Sequence, residues 1–464
     1  MCLACFAEKI GMRILFIGLS KSKIYESKNT IKELKKRGHR VNFVLWRELV
    51  FSFSKKKGVT IRRKRGKDLK YYDFVICRSP MPPTIKKGHF VKTLAMSRFY
   101  RHFYLVIDYM NFYKKHVLNE KVIKKLPYYD KLFQYYQLAK AKLPVVPSLL
   151  YTGKKIPSSV YEKFPYPYIA KCIQGSKGRD VYKIYHKEKI RKLIEKYGWG
   201  RVMIQKYLPT KEDYRIIVIG KKVIGGMKRV APKGKFKTNF SLGGYVEKIK
   251  VSKDFRNLAL KAAKALDAEF AGVDIIKYKN KLYILEVNLF PGFQGFEQAT
   301  KISVPRKLIS YIEKKYLWSL EEIKTKKDKL NLLNELYQIE KESFIAPFSK
   351  KNFKKELINK KLITVKKEGK VIAYLTYKIE KRKAYISKIA VKEKYRRQKI
   401  ASRLIKSLIK LLKEKRVKSV YVHIRESNIP SEKLFKKLKF KIKKIKKKYY
   451  RKRKENAIFM KLNL

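Results

Sequence analysis

Three oxygen-bearing side chains stand on two apolar, strand-like runs of the chain, at 271–276 and 285–289. They are Asp274, Glu286 and Asn288. Because successive strand side chains point to opposite faces, Glu286 and Asn288 share a face, and the turn-prone segment 277–281 folds Asp274 back beside them. Two carboxylates and an amide oxygen are hard ligands that suit Mg²⁺, which completes its shell with water and substrate phosphates. The spacing therefore predicts a magnesium site for chemistry on a phosphorylated nucleotide; the alternative is a hairpin whose polar face meets solvent.

A second group of polar residues precedes this trio. Lys171 stands at a predicted strand end, directly before a loop with two glycines. Glycines let backbone amides approach a phosphate, and the lysine adds positive charge. Glycine loops are common, so the loop alone is a weak signal that gains weight from its place in an ordered series. That series is Lys131, Lys171, Gly175, Ser176, Lys177, Gly178, Gln205, Lys206, Tyr207, Asp213, Arg215, Arg229 and Asn239.

The elements that must position these residues alternate between strands and helices. A buried strand pattern ends at Gly18, a helical stretch runs to Lys36, and strands follow at 41–45 and 71–77, which predicts a small α/β unit with a parallel sheet. From about 118 to 316 strands and helices alternate irregularly around the nucleotide-handling residues. A new pattern then begins, with strands at 362–366, 371–379 and 384–391, a helix at 398–414, and strands near 419–424 and 457–462.

A chain of 464 residues exceeds the size at which one hydrophobic core stops growing, so several domains are expected. The patterns predict a multidomain protein of α/β and α+β class. Its predicted parts are an N-terminal extension at 1–11, an α/β domain at 12–116, a nucleotide-binding domain at 117–316, a linker or linking helix at 317–330, and a mixed-sheet domain at 331–464.

The net charge of +81 would draw the protein toward polyanions such as RNA, ribosomes or anionic membrane surfaces. Lysine is spread along the whole chain together with tyrosine and isoleucine, so a general compositional bias explains the charge equally well. The four cysteines, Cys2, Cys5, Cys77 and Cys172, are too few and scattered for a disulfide framework, which favours a reducing cytoplasm. No apolar run reaches the length of a membrane span, so we expect a soluble cytoplasmic protein without a membrane partner.

The series of polar residues resembles the ATP-grasp superfamily, and within it the RimK-like ligases that join an amino acid to a carboxyl group. The resemblance covers about residues 12–315 and implies a pre-ATP-grasp α/β unit followed by an ATP-grasp fold. Its matching pieces are Asp130-Lys131, Lys171 with Gly175-Ser176-Lys177-Gly178, Asp213-x-Arg215, Asn239 with Gly243-Gly244, Ala271-Gly272-Val273-Asp274, and Glu286-Val287-Asn288 with Pro291-Gly292 and Gly295-x-Glu297.

This resemblance implies roles for the residues. Lys131, Lys171, the glycine loop and Asp213 would bind ATP, and 205–207 would present backbone groups to adenine. Asp274, Glu286 and Asn288 would hold one or two Mg²⁺ or Mn²⁺. Arg215, Arg229 and Asn239 would act on the acceptor carboxylate and the transferred phosphoryl group, since phosphoryl transfer needs positioning and charge neutralisation. The carboxylate would become an acyl phosphate, which an amine, most simply that of glutamate, attacks. Lys206 departs from the family, where an acidic residue is common, and each arginine has the alternative of a surface ion pair.

Residues 331–464 resemble the GNAT acetyltransferases, especially the RimI-like N-terminal protein acetyltransferases. The matching pieces are Ser343-Phe344, Pro347-Phe348-Ser349, Ile389-Ala390-Val391, 395–401, Arg425-Glu426-Ser427-Asn428 and Tyr449-Tyr450. The resemblance implies a GNAT mixed-sheet fold that binds acetyl-CoA. The residues Arg396, Arg397, Gln398, Lys399, Ile400 and Ala401 would grip the pyrophosphate at a helix start. The edge of Ile389, Ala390 and Val391 would pair with the pantetheine arm, and Asn428 would anchor it.

The catalytic residues of this second region depart from the family. Lys399 and Lys439 stand where glycines are usual, His423 stands where a glutamate often serves as base, and Phe435 stands where a tyrosine often returns the proton. Histidine can act as a base near neutral pH, whereas phenylalanine donates no proton. Acetyl transfer would therefore use Tyr449 or Tyr450, be slow, or be lost. The structural alternatives are a satisfied strand histidine and packed tyrosines.

The sequence therefore predicts a cytoplasmic fusion of two enzymes, an ATP- and Mg²⁺-dependent ligase and an acetyl-CoA-dependent N-acetyltransferase. The namesakes of both families modify ribosomal proteins, and counterion release would hold a basic chain near ribosomal RNA, which makes ribosomal proteins the expected acceptors. A small carrier protein or a cofactor is the alternative acceptor. A basic RNA- or ribosome-binding protein with decayed active sites is the alternative from another class.

Overall fold

The computed structural model describes residues 11–18, 24–56, 58–78, 89–125, 130–153, 157, 163–173, 180–232, 238, 244–317, 319–367, 369–450 and 454–464. The chain forms two compact units, which we call the first unit, Gly11–Tyr311, and the second unit, which includes Ile312–Leu464. Within the described ranges, no helix has the length and apolar character needed to cross a membrane.

The first unit begins with an α/β layer around a four-stranded parallel sheet of order β2-β1-β5-β6. The apolar stretch 14–17 is fully buried, as expected for a central parallel strand covered on both faces. Gly38 ends the first helix with φ of 80°, a conformation that glycine adopts without strain. The elements are β1 Arg13–Gly18, α1 Tyr25–Lys36, β2 Arg40–Leu45, β3 Leu49–Ser54, β4 Gly58–Arg63, β5 Phe74–Cys77, α2 His89–Phe112 and β6 His116–Val117. The parallel sheet was predicted; the hairpin β3–β4 was not.

Two antiparallel sheets follow, of order β7-β10-β8-β9 and β13-β12-β11-β14-β15. The elements are α3 Glu120–Lys125, α4 Lys131–Lys140, β7 Ser148–Leu150, β8 Tyr168–Cys172, β9 Val181–Ile184, α5 Lys187–Tyr197, β10 Val202–Lys206, β11 Glu212–Ile219, β12 Lys222–Val230, β13 Tyr245–Ile249, α6 Lys253–Ala265, β14 Phe270–Tyr278, β15 Lys281–Asn288, α7 Gln294–Thr300 and α8 Val304–Tyr316. One core cluster joins buried residues of the parallel sheet, such as Leu15, to buried residues of β11 and β14, such as Ile216 and Val273.

Buried Asn119 joins the beginning of β14 to the end of β15. Its Oδ1 accepts hydrogen bonds from the amides of Glu269 and Phe270 at 2.8 and 2.9 Å, and its Nδ2 donates to the carbonyls of Phe270 and Leu289 at 2.9 and 3.1 Å. All four bonding positions of the side-chain amide are thereby used. These hydrogen bonds hold together the two strands that carry the predicted metal ligands.

The second unit is built on a seven-stranded sheet of order β16-β17-β18-β19-β20-β22-β21, in which β19 and β20 are parallel. Residues 317–330 differ from the expected linker, because 319–323 form the edge strand β16 beside β17. The predicted meander, long helix and late strands are present, and β21 was not anticipated. The elements are β16 Ser319–Ile323, α9 Lys326–Asn331, α10 Leu333–Ser343, α11 Lys350–Asn359, β17 Lys361–Lys367, β18 Lys370–Glu380, β19 Lys383–Val391, α12 Ile400–Glu414, β20 Ser419–Arg425, α13 Ile429–Lys437, β21 Lys441–Tyr450 and β22 Glu455–Asn463.

Candidate active sites

Asp274 and Glu286 lie directly opposite each other on the antiparallel strands β14 and β15. Asn288 lies two residues further along β15, and its Nδ2 donates to Asp274 Oδ2 at 3.3 Å. The structure thus brings together the three residues that the sequence predicts as metal ligands. Their hard oxygen donors fit Mg²⁺ or Mn²⁺, although the amide nitrogen of Asn288, and not its oxygen, faces Asp274.

Two arginines surround buried Asp274. Arg215 forms a forked pair with its carboxylate, with Nε–Oδ1 and Nη2–Oδ2 distances of 2.8 and 2.7 Å. Arg229 Nη2 lies 3.0 Å from Asp274 Oδ2. Burial raises the pKa of Asp274, but the two guanidinium groups lower it by more, so the carboxyl is ionised. A metal ion at Asp274 would therefore compete with arginine side chains that are already in place.

Arg229 is itself held by Asp213, which the sequence assigned to ATP. Its Nε and Nη2 contact the two oxygens of Asp213 at 2.5 and 2.8 Å, and Thr238 Oγ1 donates to the same carboxylate at 2.5 Å. Burial lowers the pKa of Arg229, while Asp213 and Asp274 raise it by more. Arg229 thus bridges two buried carboxylates, so the surface ion pair considered for it is wrong.

Two lysines lie beside Glu286. Lys131 begins α4 after Asp130, whose side chain caps the helix by accepting from the amide of Phe133 at 2.9 Å, and Lys131 Nζ lies 4.0 Å from Glu286 Oε1. Lys171 is buried at the end of β8. Burial and the neighbouring charge of Lys131 lower the pKa of Lys171 to about 8, although Glu286 raises it. The two ammonium groups form a positively charged place next to the predicted metal ligands.

Three buried residues that the sequence did not single out hold this place. The hydroxyl of Tyr135 donates to the carbonyl of Leu285 at 3.1 Å, and Gln134 Oε1 accepts from the amide of Val287 at 2.9 Å. Asn119 holds the ends of the same strands next to Asn288. The sequence could have indicated Gln134 and Tyr135, because they lie one turn after Lys131 on α4, where side chains at i+3 and i+4 share a face.

The three residues of the predicted adenine hinge have different surroundings. The side chain of Gln205 is buried and donates to Tyr135 Oη and Ser148 Oγ at 2.7 and 2.8 Å, so it stabilises the interior beside the sheet. The amide of Lys206 donates to the carbonyl of Pro147 at 2.9 Å, while Tyr207 lies under Lys183 Nζ, 4.1 Å from the ring centroid. The predicted residues Gly175, Ser176, Lys177, Gly178 and Asn239 lie outside the described residues.

In the second unit, three aromatic rings lie around His423 on β20. The centroid distances from its imidazole to Tyr449, Tyr450 and Phe459 are 5.3, 6.2 and 5.4 Å. The side chain of His423 is exposed, but desolvation by the protein atoms around it lowers its pKa, which favours a neutral imidazole that can accept a proton at pH 7. Burial raises the pKa of Tyr450 to about 12, although Arg425 opposes this effect, so the phenol keeps a proton that it can donate.

Phe435, which stands where a tyrosine was expected, is fully buried and packs against Phe440 at a centroid distance of 5.1 Å. Buried Phe435 is therefore a packing residue. The structure places Tyr449 and Tyr450, and not residue 435, beside the histidine.

The predicted acetyl-CoA residues lie around the end of β19. Ile389, Ala390 and Val391 pair with β18 on one side, whereas the described pairing with β20 covers Lys383–Ile386. Arg397 and Lys399 have φ of 63° and 62°, so the turn before α12 has the left-handed conformation that glycine favours. The turn also contains Gln398, Ile400 and Ala401, and the last two begin α12.

Two of these residues have structural partners. Arg396 donates to the carbonyls of Val391 and Glu342 at 3.2 and 3.3 Å, which ties the turn to β19 and α10. Asn428 caps α13 by accepting from the amide of Ser431 at 3.1 Å. The side chain of Asn428 is therefore engaged in the helix end.

Comparison with known proteins finds a family similarity for two regions of the chain. Residues 129–312 match the RimK-like ATP-grasp domain, and residues 333–440 match the acetyltransferase (GNAT) family. A probable alpha-L-glutamate ligase 1 of Shewanella sp. (strain MR-4) is 38% identical over 155 residues, which are 32% of this chain and 52% of that protein. A protein of the same description from Shewanella oneidensis has the same identity and coverage. The chain thus spans about half the length of these relatives.

A solved structure agrees with the fold of the first unit. The ATP-grasp ligase PsnB, complexed with a minimal precursor, has a TM-score of 0.50 and 20% identity and covers 65% of this chain and 97% of that chain. The ribosomal-protein-S18-alanine N-acetyltransferase of Escherichia coli is 26% identical over 32% of this chain and 93% of that chain, with a TM-score of 0.29 that is too low for a structural conclusion.

Residues 129–312 are therefore similar to the RimK-like ATP-grasp domain, and residues 333–440 are similar to the GNAT acetyltransferases. The first family implies ATP with Mg²⁺ or Mn²⁺, and the second implies acetyl-CoA.

Proposed function

We propose that the first unit is a ligase that adds glutamate to a carboxyl group of a protein, using ATP and Mg²⁺. The observation that supports this most is the convergence of Asp274, Glu286 and Asn288 with Arg215 and Arg229 on neighbouring strands, beside the two buried lysines. The relatives named probable alpha-L-glutamate ligases support glutamate as the amino acid.

The residues divide the work as follows. Lys131 and Lys171 bind the ATP phosphates, and Arg215 positions the acceptor carboxylate, whose oxygen attacks the γ-phosphorus and releases ADP. A bound Mg²⁺ would neutralise charge on the phosphates. The amine of glutamate then attacks the acyl carbon, phosphate leaves, and an amide forms. Forked guanidinium donors suit both the carboxylate and the phosphoryl group.

We propose ribosomal proteins as acceptors, because a net charge of +81 concentrates the enzyme near ribosomal RNA. The test is mass spectrometry of ribosomal proteins and of a small carrier protein after incubation with enzyme, ATP, Mg²⁺ and glutamate. We expect a glutamyl mass increment on a ribosomal protein, absent with Glu286→Gln. A glutamyl increment on the carrier protein alone would show that the carrier, and not a ribosomal protein, is the acceptor. A Glu286→Gln variant as active as the wild type would contradict the proposed ligase function.

We propose that the second unit is an N-acetyltransferase in which His423 accepts the proton of the attacking amine. Tyr450, protonated and adjacent, returns a proton to the leaving thiolate of coenzyme A. With acetyl-CoA and peptide acceptors, His423→Ala and Tyr450→Phe should each lower kcat about 10²-fold or more. Unchanged rates in both variants would contradict these roles.

The buried thiols of Cys77 and Cys172 are compatible with our proposed location, the reducing cytoplasm.

A further inference from the structure

Two arginines of the first unit bind the backbone of the turn Pro291–Gly292, which follows β15. Arg215, which holds Asp274, donates through Nη1 to the carbonyl of Gly292 at 3.3 Å. Arg78 donates through Nη1 to the carbonyl of Pro291 at 3.3 Å. Neighbouring carbonyls of one turn therefore connect the predicted phosphoryl-transfer site with a second arginine.

Arg78 stands directly after β5, at the carboxyl end of the parallel sheet, where α/β folds commonly bind ligands. Within the described residues, its guanidinium makes the single hydrogen bond to Pro291. Burial lowers the pKa of Arg78, and nearby Glu26 raises it by less. A guanidinium carries five N–H donors, and the part of the chain that the structure describes uses one of those of Arg78, which suits this side chain to binding a ligand.

Glu26 is the carboxylate beside Arg78. It lies in the first turn of α1 and is 9% exposed. Its Oε1 accepts from the amide of Phe293 at 3.1 Å, and a Cβ atom added to Gly292 would stand 3.3 Å from the same oxygen. Within the described residues, Oε2 has no hydrogen-bond partner. The amide of Phe293 thus fixes one oxygen of Glu26 beside the Pro291–Gly292 turn and leaves the other oxygen for a donor.

A cation and an anion beside one turn match the two charges of a free α-amino acid. We propose that Arg78 and Glu26 form the binding site of the amino acid that the ligase adds: Arg78 binds the α-carboxylate and Glu26 holds the α-ammonium group. This inference rests on the proposed ligase function. The amine would lie beside the turn whose Gly292 carbonyl accepts from Arg215, and from there it would attack the acyl phosphate. Glu26, as the adjacent carboxylate, would accept the proton that the ammonium group loses before attack.

The test measures amino-acid-dependent ADP release by the full chain, with glutamate and with its α-amide, which lacks the α-carboxylate but keeps the side chain. The wild type should prefer glutamate by about tenfold or more in kcat/KM, since a charged hydrogen bond of this kind is lost with the amide. Arg78→Met should reduce this preference to near unity, and Arg78→Lys to an intermediate value. Glu26→Gln should raise the KM for glutamate, while the KM for ATP stays unchanged in all three variants.

The exposed Arg40→Met is the matched control and should keep the wild-type preference. A wild-type preference in both Arg78 variants would overturn the inference while leaving the ligase function intact. A rise in the KM for ATP equal to the rise for glutamate would also overturn it, because that result indicates a general structural role. If none of the twenty amino acids stimulates ADP release by the wild type, the proposed function and this inference both fail.

Discussion

Asp274 receives ion pairs or hydrogen bonds from Arg215, Arg229 and Asn288, so a cation that binds its carboxylate must compete with them. The loss of each arginine would have a different effect on the buried carboxylates. Removing Arg229 leaves the buried carboxylate of Asp213 without its ion-pair partner, whereas removing Arg215 leaves Asp274 paired with Arg229. The two positions therefore separate a structural contribution from a catalytic one.

We expect Arg229→Met to lower the free energy of unfolding by about 3–5 kcal/mol, the usual cost of leaving a buried charge without its partner. Arg215→Met should cost less, because Asp274 keeps Arg229, yet it should abolish ligation. Urea unfolding of both variants measures the difference. Equal losses of stability would show that Arg229 is no more structural than Arg215.

Lys171 gives the first unit a pH dependence near neutrality. Its pKa of about 8 in the free protein means that it loses its charge as the pH rises through 8, and ATP phosphates favour the charged form. ATP binding should therefore take up protons, and the Kd for ATP should rise between pH 7 and pH 9. Calorimetry in buffers of different ionisation enthalpy measures this uptake.

Lys171→Gln should remove most of the proton uptake, whereas the exposed Lys222→Gln should keep it. Proton uptake that persists in Lys171→Gln would assign the titration to another group.

At the scale of elements, helix α4 positions the strand that carries the predicted metal ligands. Its first residue, Lys131, faces Glu286, and one turn later Gln134 and Tyr135 bond the backbone of β15. The helix thus connects the lysine that would bind phosphate with the strand that would bind metal. A change on its buried face should affect both stability and nucleotide binding.

Gln134→Met tests this connection, because methionine keeps the approximate volume but leaves the buried amide of Val287 without an acceptor. We expect a loss of about 1–3 kcal/mol in unfolding free energy and a higher KM for ATP. Gln137→Met on the same helix is the matched control and should change neither quantity. An unchanged KM for ATP in Gln134→Met would show that the contact of α4 with β15 does not position the ATP-binding residues.

The sequence predicted the strand pairing that joins Asp274 to Glu286, because alternating apolar runs around a turn leave one simple register. It missed the orientation of Arg229 toward Asp213, because the pairing of Asp213 with Arg229 depends on the register of β11 against β12. It also missed β21, whose residues Ile442 and Ile445 are exposed, so no buried face gives that strand an alternating pattern. Buried hydrogen-bonding residues such as Asn119 and Gln134 carry no periodic signal at all.

At the scale of the whole molecule, the charge of +81 has two explanations with different spatial consequences. A dedicated RNA site would concentrate binding energy in one surface, whereas a compositional bias would spread it. Strand β21 is the natural place to look, because nine of its ten residues are exposed and lysine dominates it. Helix α5 offers a comparable set of exposed lysines in the other unit.

We expect no dedicated site, so two triple variants should behave alike. Replacing Lys443, Lys444 and Lys447 on β21 with glutamine should weaken binding to a duplex RNA as much as replacing Lys189, Lys192 and Lys196 on α5, because each change removes three positive charges from a diffuse field. Both should reduce the slope of log K against log salt by at most about 0.9 for each lysine. Fluorescence anisotropy over a series of salt concentrations measures the slopes. A slope that falls in the β21 variant alone would place RNA on the acetyltransferase unit, and the charge would then be part of substrate recognition.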